Sequence, residues 1–152
     1  MTTAESCTGG LIASRITSVA GSSAVFEAGY VTYSNRIKTR QLGVPEQVLV
    51  DHGAVSQPVV EAMLSGALDA SGADLGIAVS GIAGPGGGSE EKPVGTVWLA
   101  WGNKDDIRSI ELFYSTNREN FQRFIAAAGL DLMRRFILNI EEAPAYFSRR
   151  RS

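Results

Sequence analysis

One cysteine, Cys7, and one histidine, His52, are all that the 152 residues hold of either type. A single cysteine excludes an internal disulfide and any zinc site built from several thiolates. A single histidine excludes a histidine-rich metal centre. An excess of one charge is missing too. The chain sets 14 Lys and Arg against 16 Asp and Glu, a formal net charge of −2, whereas broad contact with a phosphate backbone needs a strong basic excess. The one basic run, Arg149-Arg150-Arg151, closes the chain and reads as a solvated tail. No stretch reaches the roughly 18 to 20 apolar residues of a membrane span. No basic segment followed by an apolar one marks a signal peptide after Met1. These absences point to a cytoplasmic domain without metal ligation and without nucleic acid or membrane as partner. At 44% hydrophobic and 20% charged residues the composition is that of a globular chain, which excludes disorder, and the length is that of one domain.

Glycine is what the chain has in quantity, 17 residues in all. It clusters at Gly9-Gly10, at Gly81 and Gly84, and at Gly86-Gly87-Gly88. Such clusters mark tight turns or backbone that a ligand approaches closely. Residues 1–5 read as a short strand. A helix follows over residues 11–20, with Ile12, Ile16, Val19 and Ala20 on one face and Gly21 as its stop. Residues 26–33, rich in aromatic and β-branched types, read as a second strand. Ser34 is placed to cap a short helix running to Leu42 and closed by Gly43. Pro45 opens another helical turn. From Ser56 and Pro58 a longer helix carries Val60, Met63, Leu64, Ala67 and Leu68 at the spacing of one buried face. Residues 75–80 form an apolar strand and 81–93 a Gly/Pro-rich loop. Residues 94–101 and 107–114 pair as a hairpin turning at 103–106. Thr116-Asn117-Arg118-Glu119 fits a capping box, ahead of a helix with Phe121, Phe124, Ile125, Ala128, Leu132, Phe136 and Ile137 at helical spacing. The order of elements predicts an α/β protein: a three-layer α/β/α sandwich around a mixed, mostly parallel sheet, the hairpin supplying an antiparallel strand. The domain spans residues 1–140, and 141–152 form a C-terminal tail.

Two segments are candidates for chemistry. The first, Ala4-Glu5-Ser6-Cys7-Thr8-Gly9-Gly10, lies between a strand and a helix, where α/β sheets open their ligand crevice. Ser6 or Cys7 there is a candidate nucleophile, and the N–H groups from Thr8 to Gly10 are candidate donors to an oxyanion. The alternative is that Ser6, Cys7 and Thr8 merely cap the helix and Cys7 packs in the core. A base is harder to find. His52, in a turn, is poorly placed. Lys38 lies one turn after Tyr33-Ser34, at the carboxyl end of the second strand, and parallel strands would bring it to the edge that holds Ser6. A lysine acts as a base only when its pKa is lowered. Tyr33 would relay a proton or hold the amine. The alternative is that Lys38 is a solvated helix charge. The second segment, residues 80–89, follows a strand and fits neither a P-loop nor G-x-G-x-x-G. It is a candidate backbone nest for a phosphate or carboxylate, or simply a structural loop. Lys92, Arg118 and Arg123 are candidates to offset Glu90 and Glu91 beside it.

Thr3-Ala4-Glu5-Ser6-Cys7-Thr8-Gly9-Gly10, Tyr33-Ser34-Asn35, Gly53-Ala54-Val55-Ser56, Ser80-Gly81-Ile82-Ala83-Gly84-Pro85 and Lys92-Pro93-Val94-Gly95-Thr96-Val97 occur in that order. Together they resemble the CinA C-terminal-domain family, the nicotinamide-nucleotide amidases, over nearly the whole chain. The resemblance implies a bacterial enzyme that hydrolyses the carboxamide of nicotinamide mononucleotide to nicotinic acid mononucleotide and ammonia. It implies a Ser–Lys type site without metal or cofactor, with Ser6 as nucleophile, Lys38 as base and Tyr33 beside it. Thr8, Gly9, Gly10, Ser80, Gly81, Gly84 and Arg118 are the expected substrate contacts. Family members carry a helix ahead of the first motif, whereas Met1 stands almost on it here. The chain is expected to stand alone, as a monomer or a homo-oligomer. A non-catalytic nucleotide-binding module and an amidase or esterase for another small substrate are the rival readings.

Overall fold

The computed structural model describes residues 1–149. Five strands form one sheet: β1 (Thr2–Glu5), β2 (Ala28–Val31), β3 (Gly76–Gly81), β4 (Thr96–Gly102) and β5 (Ile107–Phe113). Their order across the sheet is β2-β1-β3-β4-β5. β1 runs parallel to both its neighbours, while β4 pairs antiparallel with β3 as well as with β5. The sheet is mixed, as expected, but two antiparallel pairings come from the hairpin rather than one. The helices are α1 (Leu11–Thr17), α2 (Asn35–Leu42), α3 (Glu46–His52), α4 (Gln57–Ser71) and α5 (Arg118–Ile137).

Alternation along the strands sends side chains to two faces, and each face builds its own core. Ile77, Val79, Val97 and Leu99 join Ile12 of α1 and Phe121 and Ile125 of α5 on one side. Ala4, Ala78 and Ala100 meet Met63, Leu64 and Leu68 of α4, together with Leu42 of α2 and Leu49 of α3, on the other. This is the three-layer α/β/α sandwich. The α4 stripe read from spacing is fully buried throughout. On α5 the stripe holds through Leu132, but Ile137 is exposed.

Several ends differ from expectation: β2 is confined to Ala28–Val31 and β4 begins at Thr96. α1 stops at Thr17, because the hydroxyls of Thr17 and Ser18 donate back to carbonyls of Ala13, Ser14 and Arg15 and compete with helix continuation. The chain then passes through a 3₁₀ turn, Ser22–Ala24. At α5 the cap is Asn117, whose side chain accepts from the Asn120 amide at 2.9 Å, and not Thr116. The tail is not loose ahead of its arginines. A 3₁₀ turn, Ala145–Arg149, packs Tyr146 and Phe147 on the first core, and the Tyr146 hydroxyl donates to Asp131 Oδ2 at 2.9 Å. Arg150 and Arg151 lie outside the described residues.

Candidate active site

Ser6 follows β1 directly, and its amide extends the ladder to Val79 O at 3.0 Å. The turn after it is drawn tight by Glu5, which is fully buried. The Glu5 carboxylate accepts from Thr8 Oγ1 at 2.6 Å and from the amides of Gly10, Ile12 and Ala13 at 3.1, 3.0 and 2.8 Å. The Gly9 amide donates to Ser6 O. So the Gly9 and Gly10 donors expected for an oxyanion are already engaged, and the Thr8 hydroxyl is engaged too. Among the described residues, the amides of Cys7 and Thr8 donate to no backbone carbonyl.

Lys38 enters from the other side. Ser34 caps α2 by accepting from the Ile37 amide. This fixes the first turn so that Lys38 and Leu42, four residues apart, share the buried face. Lys38 is 1% exposed. Its Nζ lies 3.2 Å from Ser6 Oγ, 2.8 Å from Thr32 O and 3.4 Å from Tyr33 O. Burial drives its pKa below the ordinary lysine value, because the charged form loses its hydration. Only a Cys7 thiolate would work against that. Burial also pushes the Cys7 thiol up to about 12, so it stays neutral and supplies no counter-charge.

The pair opens into a cavity of about 210 Å³. Ala54, Val55, Ser80, Gly81 and Ala83 wall it, with Tyr33 and Arg118 also lining it. Ser80 Oγ donates to Ala54 O at 2.7 Å and ties the end of β3 to the α3–α4 connection. Arg118 bridges two elements, donating to Gly84 O and to the Tyr33 hydroxyl, both at 2.9 Å. The Tyr33 ring is exposed, and its hydroxyl meets Arg118 rather than Lys38; what touches the amine is the Tyr33 carbonyl. Lys92 donates to His52 O and Arg123 pairs with Glu119, so of the three cations expected near the glycine loop only Arg118 lines the cavity. His52 is exposed and does not line it. Sequence reasoning missed Glu5 and Gln122, whose amide donates to Cys7 O at 2.8 Å. A glutamate inside a strand of small residues was the available signal for the first, and nothing marked the second. Among the described residues no cluster of three or more His, Cys, Asp or Glu is placed to hold a metal, and no helix is long and apolar enough to cross a membrane.

The family model described as the CinA C-terminal domain matches residues 1–137. This chain belongs to that family. A CinA-like protein of Colwellia psychrerythraea is 59% identical over 150 residues, which are 99% of this chain and 35% of that protein. The nicotinamide-nucleotide amidohydrolase PncC of Pseudomonas putida is 62% identical over 131 residues, 86% of this chain and 82% of its own length. Thus the chain spans about a third of its CinA-like relative but most of the shorter one. Among solved structures, a competence damage-inducible protein A from Klebsiella pneumoniae superposes with a TM-score of 0.88 at 36% identity, covering 92% of this chain and 87% of that one. The CinA C-terminal family thus includes long and short members, and the Ser6–Lys38 pair falls inside the matched segment.

Proposed function

We propose that this member of the CinA C-terminal family is an amidohydrolase that cleaves the carboxamide of nicotinamide mononucleotide, with Ser6 as nucleophile and Lys38 as its base. One observation carries the reading: a buried amine with lowered pKa lies 3.2 Å from a hydroxyl at the end of β1. A neutral amine has two N–H bonds and one lone pair. The carbonyls of Thr32 and Tyr33 take the two N–H bonds, which leaves the lone pair for the Ser6 proton. The name of the Pseudomonas relative supports the substrate.

Ser6 Oγ gives its proton to Nζ as it bonds to the amide carbon. The carbonyl electron pair moves onto oxygen, toward the amides of Cys7 and Thr8. Losing one such donor typically costs about 10²- to 10³-fold in rate. Collapse breaks the C–N bond, and Lys38 returns the proton to the departing ammonia. Water then loses a proton to the same amine, attacks the acyl ester and frees the acid, while Oγ regains its proton. The cavity is smaller than the roughly 300 to 1,000 Å³ of many ligand clefts. It takes the base end of the nucleotide, and the ribose and phosphate extend past the rim, where Arg118 is the anchor beside Ser80, Gly81 and Gly84. The reaction is one of the bacterial cytoplasm and calls for neither metal nor cofactor. Ammonia release from the mononucleotide by the wild type, and its loss in Ser6→Ala with the fold intact, is the expected result. Near-normal turnover by Ser6→Ala ends this reading. Thermal stabilisation by the mononucleotide without ammonia release would favour a binding module instead.

A further inference from the structure

We propose that Glu5 is the positioning residue of the nucleophile: its carboxylate holds the 6–10 turn against the end of β1 and thereby fixes the direction of Ser6 Oγ and of the Cys7 and Thr8 amides. This rests on the reading of Ser6 as nucleophile.

Glu5 is fully buried and forms no ion pair among the described residues. A buried carboxylate without a cation is costly unless hydrogen bonds replace its water. Here four donors do so, three of them backbone amides. α1 needs them: its N-cap is Gly10, in a left-handed conformation at φ 96°, with no side chain to cap the helix. The acceptor comes instead from the preceding strand, five residues earlier at Gly10 and eight at Ala13. One side chain therefore gathers both ends of the turn and its middle, at Thr8. The strand alternation sends Glu5 toward α1 and Ser6 toward Lys38 on α2. The carboxylate can act on the nucleophile only through the backbone between them. It also occupies the Gly10, Ile12 and Ala13 donors, so that, among the described residues, the amides of the turn that donate neither to the carboxylate nor to a backbone carbonyl are those of Cys7 and Thr8.

Glu5→Gln keeps size and removes one acceptor: its NH₂ group must face at least one amide N–H that a carboxylate would accept. Thr8→Val removes one partner and leaves the carboxylate. Ammonia release is measured with the mononucleotide as substrate. In parallel, the rate at which a fluorophosphonate phosphonylates Ser6 is followed by mass spectrometry. Leu132→Ala, remote in the first core, serves as a destabilised control. Folding of each variant at the assay temperature is checked by circular dichroism. The expected result is a fall in kcat of about 10- to 100-fold in Glu5→Gln, the scale of a displaced reacting group, with KM within about twofold. Phosphonylation slows in step, Thr8→Val shows a smaller fall in kcat, and Leu132→Ala keeps its kcat. Wild-type kcat and labelling in folded Glu5→Gln would overturn the proposal. If Glu5→Gln does not fold, wild-type kcat in folded Thr8→Val overturns it equally. Turnover by Ser6→Ala would show separately that the nucleophile reading is the one at fault.

Discussion

Lys38 is among the largest of the fully buried side chains, and that position gives its amine a sign that titration can read. An unfolded lysine titrates near 10.4, and burial places the folded value lower. Between the two values the folded chain holds fewer protons than the unfolded one, so stability climbs with pH across that window and the full cost of burial is felt below it. With Lys38 as the proposed base, activity should follow the same group. We expect kcat/KM to rise with pH to a plateau, with an apparent pKa below 10.4, and Lys38→Arg to be almost inactive because guanidinium stays charged. A pH–rate profile checks both. A rate that is flat through the lysine range, or an active Lys38→Arg, would remove Lys38 as the base. The Ser6–Lys38 pairing was legible in the sequence because parallel strands end at one edge. The burial of Lys38 was not. It depends on Thr32 and Tyr33 carbonyls turning inward, and no side-chain pattern encodes that.

At the scale of elements, one glycine on α4 lets α2, which carries Lys38, pack as closely as it does. A Cβ at Gly66 would stand 1.8 Å from Leu42 O, so the two helices touch backbone to backbone. Leu42 lies one turn beyond Lys38. Gly66→Ala must push α2 outward and carry the amine with it. We expect a lower thermal midpoint and a fall in kcat of about 10-fold or more, read by melting and by ammonia release. An unchanged kcat in a folded variant would uncouple the helix contact from the site. Helix existence was plain from apolar spacing in α4 and α5. Helix ends were less so, since Thr17 and Ser18 end α1 through their hydroxyls and Asn117 rather than Thr116 caps α5. Glu5 escaped notice as a helix cap because it lies on another element, several residues before the helix it serves.

For the whole molecule, sequence order gave the layers but not the closure. The alternation of strands and helices predicted the sandwich, and the hairpin predicted antiparallel pairing. That β4 would also lie antiparallel beside β3 depends on where the loop at 81–93 delivers the chain. The return of the C-terminal segment was likewise hidden, because Tyr146 and Phe147 carry no periodic pattern. They add to the first core, and the Tyr146 hydroxyl joins Arg134 and Arg135 on Asp131. Tyr146→Phe should lower stability by about 1 kcal/mol, the net worth of one hydrogen bond, in urea unfolding, with kcat unchanged. A drop in kcat would mean that this segment reaches the site.

The Ser6–Lys38 pair joins groups from different layers: the hydroxyl belongs to the sheet's end, the amine to a helix outside it. Neither has its partner until α2 has docked onto α4 with Gly66 in place. If the pair acts as proposed, turnover therefore reports on the seating of α2 against the sheet's end, and not on helix or sheet content alone.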